Sequence, residues 1–129
     1  MADPKSMRVL RASDAVPESN FPRGDEPGFT RVRFGAMNAT GFDAVLMRLP
    51  AGQMSPRHTY SGEHVIYQLE GSIEFRSDDE AITLSKGDLL FIPPDIWYEY
   101  SNIGEGEATY LGVTGPGPKG EWPARSVFA

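Results

Sequence analysis

The segment HTYSGEHVIYQLEG, residues 58–71, decides how the chain is interpreted. It holds both histidines of the protein, His58 and His64. Residues two apart in a strand point to the same face, so His58 and Tyr60 project together. A serine–glycine pair then permits a sharp turn, after which His64 opens the next strand and returns its side chain towards the first two. Three nitrogen- and oxygen-bearing side chains are therefore predicted to converge.

The rest of the chain is typical of β-structure. Its segments are rich in Val, Ile, Phe, Tyr and Thr, and 14 glycines and 11 prolines punctuate them. Strands are predicted at residues 29–36, 42–49, 63–70, 72–77, 80–85, 88–92, 97–102 and 108–114. Many short strands at this spacing predict an all-β sandwich or barrel over residues 29–114. Residues 1–28 and 115–129 are predicted to be arms that pack on the barrel or on a partner subunit.

Composition narrows the classes of function. A length of 129 residues predicts one domain, and a net charge of −6 argues against nucleic acid as a partner, because phosphate contacts need a basic patch. The sequence contains no run of about eighteen apolar residues, so no membrane-spanning helix is predicted. The first residues lack the apolar core of a signal peptide. The sequence has no cysteine. We therefore expect a cytoplasmic protein.

The histidine segment resembles the first conserved motif of the cupin superfamily. That motif runs Gly, five residues, His, one, His, three, Glu, six, Gly. Here the same intervals separate Gly52, His58, Tyr60, His64 and Gly71. The two glycines and the first histidine are the usual residues of the family.

A second stretch resembles the second cupin motif: Gly, five residues, Pro, one, Gly, two, His, three, Asn. The corresponding residues here are Gly87, Pro93, Asp95, Tyr98 and Asn102. Every interval again matches, while Asp and Tyr replace the family's Gly and His. The resemblance covers about residues 42–114 and implies a cupin-type double-stranded β-helix, a jelly-roll barrel.

The resemblance also implies a metal site, with substitutions at three of its four ligand positions. The family's ligands are the two His and the Glu of the first motif and the His of the second. Those positions hold His58, Tyr60, His64 and Tyr98. Each replacement is itself a side chain that can bind a metal or move a proton. We therefore expect one transition-metal ion (Fe, Zn, Mn or Ni), with Tyr60 and Tyr98 also as catalytic residues.

The side chains of two further residues are predicted to face the same side as these four ligand positions. Gln68 lies on the same face of its strand as His64, and Tyr100 on the same face as Tyr98. Both are predicted to bind substrate. Because an open sheet edge needs covering and small cupins commonly pair through edge strands, we also expect a homodimer, with residues 1–28 as the means.

Three functions remain open at this point. The first is an enzyme with an atypical His/Tyr metal site. Its reaction type stays open among oxygenase, lyase, cyclase and isomerase. The second is a metal-free isomerase or epimerase, in which His58 or His64 is the general base and Tyr60 or Tyr98 the general acid. The third is a non-catalytic module that binds a small ligand, in which the tyrosines are aromatic filling and His64 is a hydrogen-bonded interior residue.

Overall fold

The strands form where buried and exposed side chains alternate along the chain. The structure is a computed structural model that describes residues 7, 9, 11, 30–33, 41–116 and 126–128. Its strands are β1 (Thr30–Arg33), β2 (Asp43–Leu49), β3 (His58–Tyr60), β4 (His64–Glu70), β5 (Ile73–Ser77), β6 (Ala81–Leu84), β7 (Leu89–Ile92), β8 (Tyr98–Asn102), β9 (Ala108–Thr114) and β10 (Ser126–Phe128). In β4 the burial pattern alternates strictly from His64 to Gln68, as expected when one face of a sheet meets a core.

Two five-stranded antiparallel sheets make up the fold. Sheet A has the order β1-β2-β9-β4-β7, and sheet B has the order β10-β3-β8-β5-β6. Strands that are far apart in sequence are neighbours in both sheets, as in a jelly roll. The predicted all-β fold class is confirmed.

Every predicted strand segment contains a strand of the structure. The boundaries differ by at most one residue where the whole segment is described, and residues 29 and 34–36 of the first segment lie outside the described residues. Strand β10 falls within the predicted C-terminal arm, where it pairs with β3. Most of the two arms lies outside the described residues, so their packing stays a prediction.

The core lies between the inward faces of the two sheets. Leu49 and Ile66 of sheet A and Ile73 of sheet B have no exposed surface. Burial of each such side chain contributes about 1.5–3 kcal/mol. The rest of the buried core consists of Met47, Phe75, Leu84, Ile92, Tyr98, Tyr100, Ala108 and Tyr110. Aromatic side chains therefore fill much of the interior.

Two turns depend on unusual backbone conformations. Gly71 has a φ of 73°, and a Cβ at this position would lie 2.9 Å from the Cα of Ala108. Only glycine satisfies both constraints. Asp95 is the one described non-glycine residue with positive φ, at 66°, and it stands where the second cupin motif has glycine. Aspartate tolerates this left-handed conformation better than most residues, so the turn between β7 and β8 can form without glycine at this position.

Over the described ranges, no helix has the length and apolar character that a membrane crossing requires.

Candidate functional site

The four predicted ligand residues meet inside the protein, between the sheets. The ring centre of His58 lies 5.6 Å from that of Tyr60 and 4.4 Å from that of Tyr98. The Tyr60 and His64 ring centres are 5.0 Å apart. His58, His64 and Tyr98 are buried, and Tyr60 is half-buried. We call these four residues the His/Tyr cluster.

The cluster draws one residue from sheet A and three from sheet B. His58 and Tyr98 are direct cross-strand partners on β3 and β8, which places their side chains next to each other. His64 reaches them from β4, across the interior. The backbone N–H of Asp95 donates a hydrogen bond of 2.8 Å to the carbonyl of Tyr60, so the turn between β7 and β8 holds the end of β3 in place.

A backbone contact sets the tautomer of His58. Its Nδ1 lies 2.8 Å from the carbonyl oxygen of Pro56, which can only accept, so Nδ1 carries the proton and donates. In the neutral ring Nε2 is then the basic nitrogen. Burial lowers the pKa of His58, and the bond to Pro56 opposes this only partly. His58 is therefore an oriented, neutral base at physiological pH.

A hydrogen bond joins the two sheets at His64 and Tyr98. The distance from His64 Nδ1 to the Tyr98 hydroxyl oxygen is 3.1 Å, and both residues are buried. Burial, together with a smaller effect of the nearby His58, lowers the pKa of His64 to about 4. Burial likewise raises the pKa of Tyr98 well above its usual value, as do Tyr60 and Tyr100 nearby. Both partners are consequently uncharged at neutral pH.

The other ring nitrogen of His64 indicates which partner donates. Nε2 is buried and has no hydrogen-bond partner. An orphaned N–H is rarer in proteins than an orphaned acceptor, so we place the proton on Nδ1, which donates to Tyr98. The hydroxyl proton of Tyr98 is then directed away from His64 and is available to a bound molecule.

Gly112 makes room for His64, and sequence reasoning missed it. A Cβ on Gly112 would lie 2.9 Å from His64 Nε2 and 3.3 Å from Val45 Cγ1. Gly112 pairs with Ile66 on β4, one inward position along from His64. A glycine in mid-strand was the available signal, because it often marks a close approach.

The predicted substrate-binding residues occupy different surroundings. The Tyr100 ring centre lies 5.8 Å from that of His58, within the aromatic core beside Phe75 and Tyr110. The Gln68 side-chain amide donates to the carbonyls of Glu70 and Gly71, where the pairing of β4 with β9 shifts register. Tyr100 thus contacts the His/Tyr cluster, whereas the Gln68 amide group supports a β-bulge.

A cleft of about 160 Å³ lies beside the cluster, and Tyr98 belongs to both. It opens between the β5–β6 hairpin of sheet B and the end of β7 in sheet A. Its lining is largely apolar, with charged residues on the β5–β6 side. The lining residues are Phe75, Arg76, Ser77, Asp79, Glu80, Ile82, Leu90, Phe91, Ile92, Pro93, Ile96 and Tyr98. Sequence reasoning did not predict this cleft, because it depends on which strands become neighbours.

Comparison with known proteins decides the family. The family model of the cupin domain matches residues 45–114, more than half of the chain. The chain belongs to the cupin family. No curated protein matches its sequence.

Solved structures show the same fold in other cupins. A sugar phosphate isomerase of the cupin superfamily from Silicibacter pomeroyi is 20% identical, with a TM-score of 0.76 over 95% of this chain and 82% of its own. The polyketide cyclase RemF from Streptomyces resistomycificus is 23% identical, with a TM-score of 0.72 over 96% and 87%. An uncharacterized double-stranded β-helix protein from Klebsiella pneumoniae is 18% identical, with a TM-score of 0.72 over 96% and 98%. At these identities the likeness shows the fold alone.

The His/Tyr cluster of this cupin suits a metal ion in the chemistry of its donor atoms. His64 Nε2 carries no proton when Nδ1 donates to Tyr98, and it is buried without a hydrogen-bond partner, which makes it available as an imidazole donor. Among the described residues, however, no group of three or more His, Cys, Asp or Glu could hold an ion. A bound ion would favour the deprotonated form of Tyr60 or Tyr98, which would then supply negative charge to it.

Proposed function

We propose that this cupin is a small-molecule enzyme in which Tyr98 acts as general acid and His58 as general base, without a metal. The direct hydrogen bond between His64 and Tyr98 carries the proposal. It joins two uncharged groups in a buried site, where a positioned proton donor and acceptor act without competition from water. Solved cupins that share the fold include proteins named as an isomerase and as a cyclase, both reaction types that can proceed by proton transfer.

The proposed reaction passes through an enol. Nε2 of His58 removes a proton from the carbon next to a substrate carbonyl, and Tyr98 gives its hydroxyl proton to the carbonyl oxygen. The resulting Tyr98 phenolate accepts the hydrogen bond that His64 Nδ1 donates, which offsets the cost of a buried charge. Return of the enol hydroxyl proton to Tyr98 restores the carbonyl group. His58 returns its proton either to the same carbon, which gives exchange with solvent, or to the far end of a conjugated dienol, which completes an isomerisation that moves a carbon–carbon double bond. His64 is a positioning residue in this scheme.

Deuterium incorporation tests the proposal. In D₂O, the full chain freed of metal by chelation should exchange the α-protons of an accepted carbonyl compound, followed by proton NMR across a panel of small ketones and aldehydes. Tyr98→Phe and His58→Gln should each slow the exchange by about 10²–10⁴-fold, the usual contribution of one acid or base. Tyr67→Phe is the matched control, because Tyr67 lies on the outward face of β4.

Two results contradict metal-free catalysis. If chelation abolishes the exchange and added metal restores it, the reaction depends on an ion. If no compound exchanges although the protein binds small ligands, the non-catalytic alternative is favoured.

A metal-dependent enzyme is the second candidate, and the orphaned His64 Nε2 favours it. A buried imidazole nitrogen without a partner is costly, and a bound ligand or ion removes that cost. His58, His64, Tyr98 and Tyr60 would hold the ion. Bound there, a metal would supply Lewis-acid polarisation of a substrate oxygen. Elemental analysis of protein purified without added metal tests this candidate: near-stoichiometric metal that both His58→Ala and His64→Ala abolish supports it, and metal content unchanged in both variants contradicts it.

A further inference from the structure

The cleft beside Tyr98 has a shape and a lining that restrict what it could hold. Proteins hold small molecules in concave, mostly apolar sites with few polar groups. The inner wall is formed by buried Phe75, Ile92 and Tyr98 and by half-buried Ile82 and Leu90. Of these five side chains, only that of Tyr98 carries a polar atom.

The volume corresponds to a molecule of one ring. An apolar protein cavity of about 150 Å³ takes up benzene, and the cleft measures about 160 Å³. Because the cleft is open on one side, this volume limits only the part of a ligand that the cleft encloses, and a larger molecule would extend out of it. The space therefore suits one six-membered ring with small substituents.

The charges at the rim disfavour anions. Asp79 and Glu80 are exposed at the opening. Arg76 is the one cation among the described lining residues, and two carboxylates already engage it: Glu74 at 3.5 Å and Glu99 at 3.4 Å. A carboxylate or phosphate entering the cleft would meet acidic residues and a cation that is already paired.

We propose that the cleft binds a neutral, largely apolar molecule of single-ring size, with one oxygen in contact with the Tyr98 hydroxyl. This names the substrate class of the proposed enzyme and so rests on the proposed function. Tyr98 lines the cleft, and its hydroxyl is bonded to His64 Nδ1. A ligand oxygen in contact with this hydroxyl is therefore close to the His/Tyr cluster. The apolar ring replaces water against Ile82, Leu90 and Ile96.

Three probes that share a ring test the class: phenol, toluene and benzoate. NMR titration of the isotope-labelled full chain should show phenol and toluene shifting the methyl resonances of Ile82, Leu90 and Ile96. Benzoate should bind about tenfold more weakly or worse, because its charge is buried without a free partner. Tyr98→Phe should weaken phenol binding by about three- to tenfold, the loss of one hydrogen bond, and leave toluene binding unchanged.

Filling the cleft provides the matched comparison. Leu90→Trp places an indole in the cleft and should reduce phenol affinity by about tenfold or more, whereas Leu89→Trp on the outward face of β7 should not. If Leu90→Trp fails to fold, Ile96→Trp at the exposed rim serves instead. Unchanged phenol binding in the filled variant, or benzoate binding as tight as that of phenol, overturns the proposal.

The two proposals fail separately. Phenol binding in the cleft without proton exchange on any carbonyl compound leaves the ligand site standing and removes the enzyme. Proton exchange that persists at the wild-type rate in a folded Leu90→Trp protein leaves the enzyme standing and removes the cleft as its substrate site.

Discussion

The outer faces of the two sheets differ although their inner faces are alike. Both inner faces are apolar or aromatic, and both contribute to the His/Tyr cluster. Outside, sheet B presents Glu74, Arg76 and Glu99, with Arg76 paired to both carboxylates. The outer face of β4 and β7 in sheet A is instead apolar and exposed: Val65 38%, Tyr67 41%, Leu89 68% and Phe91 53%. Val65 pairs with Phe91 and Tyr67 with Leu89, so the four form one contiguous patch.

For the homodimer predicted from the sequence, this difference favours the outer face of sheet A over that of sheet B as the interface. Exposed contiguous apolar patches on globular proteins usually mark interaction sites. A flat apolar face is complementary to a second copy of itself, which fits the homodimer predicted from the sequence. That homodimer remains a prediction, and the four-residue patch of sheet A is where we expect it to form.

The largest expected effect is on this association. Phe91→Glu puts two like charges into a twofold interface and should raise the dimer dissociation constant by about a thousandfold, or ~4 kcal/mol. Thr83→Glu, exposed on edge strand β6 of sheet B, is the matched control and should have no effect. Analytical ultracentrifugation of the full chain gives both values. A wild-type protein that stays monomeric at tens of micromolar would contradict the prediction.

The next effect concerns the sheet A member of the cluster. The pKa of His64 is about 4 in the folded protein, and its ordinary value is 6.5. Between these two pH values the unfolded chain binds a proton at this histidine and the folded chain does not. The stability associated with neutral His64 is complete above pH 6.5 and declines by about 3 kcal/mol as the pH falls to 4. Urea unfolding of metal-free protein from pH 7 to pH 4 measures it. His64→Gln should lose less stability over this range, and a decline equal to that of the wild type would show that His64 is not the cause.

Removing the space under His64 should have a smaller effect. Gly112→Ala sets a methyl group 2.9 Å from His64 Nε2, so the ring must move and its bond to Tyr98 weakens. We expect a loss of about 1–3 kcal/mol in the free energy of unfolding, as for other overpacked interiors. Gly106→Ala is the control, because a Cβ there meets nothing within 4 Å. Equal unfolding midpoints of the two variants would contradict the close approach.

The smallest effect is expected at the turn that leads from sheet A to sheet B. Asp95→Gly should raise the free energy of unfolding by roughly 0.5–1 kcal/mol, because glycine adopts the φ of 66° without a steric penalty. Asp95→Ala should lower it, since alanine keeps the strain and lacks the tolerance of aspartate. Thermal unfolding orders the three proteins, and an alanine variant as stable as the glycine variant would show that backbone strain is unimportant here.

Much of the fold follows from short-range patterns. In segments such as residues 63–70, successive side chains of the strand point to opposite faces. This two-residue repeat makes the strands and their inward residues predictable from the sequence. The gathering of His58, Tyr60, His64 and Tyr98 was predicted from parity and from the spacing of the cupin motifs, and the structure brings them together. Whether they bind a metal remains a prediction.

Features that depend on register across the sheets were not predictable. The role of Gly112 requires β9 to lie beside β4, and the cleft requires the β5–β6 hairpin to face β7. For Gln68 the parity was correct, yet its amide group binds backbone carbonyls at a bulge. A bulge changes the pairing locally without changing the alternation that sequence patterns detect.

The bond between His64 and Tyr98 has a mechanical consequence. His64 belongs to sheet A and Tyr98 to sheet B, so the length of this hydrogen bond depends on the separation of the two sheets. Movement of one layer relative to the other stretches this hydrogen bond. A molecule that binds between the sheets far from the cluster and separates them would therefore lengthen this bond and disturb the His/Tyr cluster.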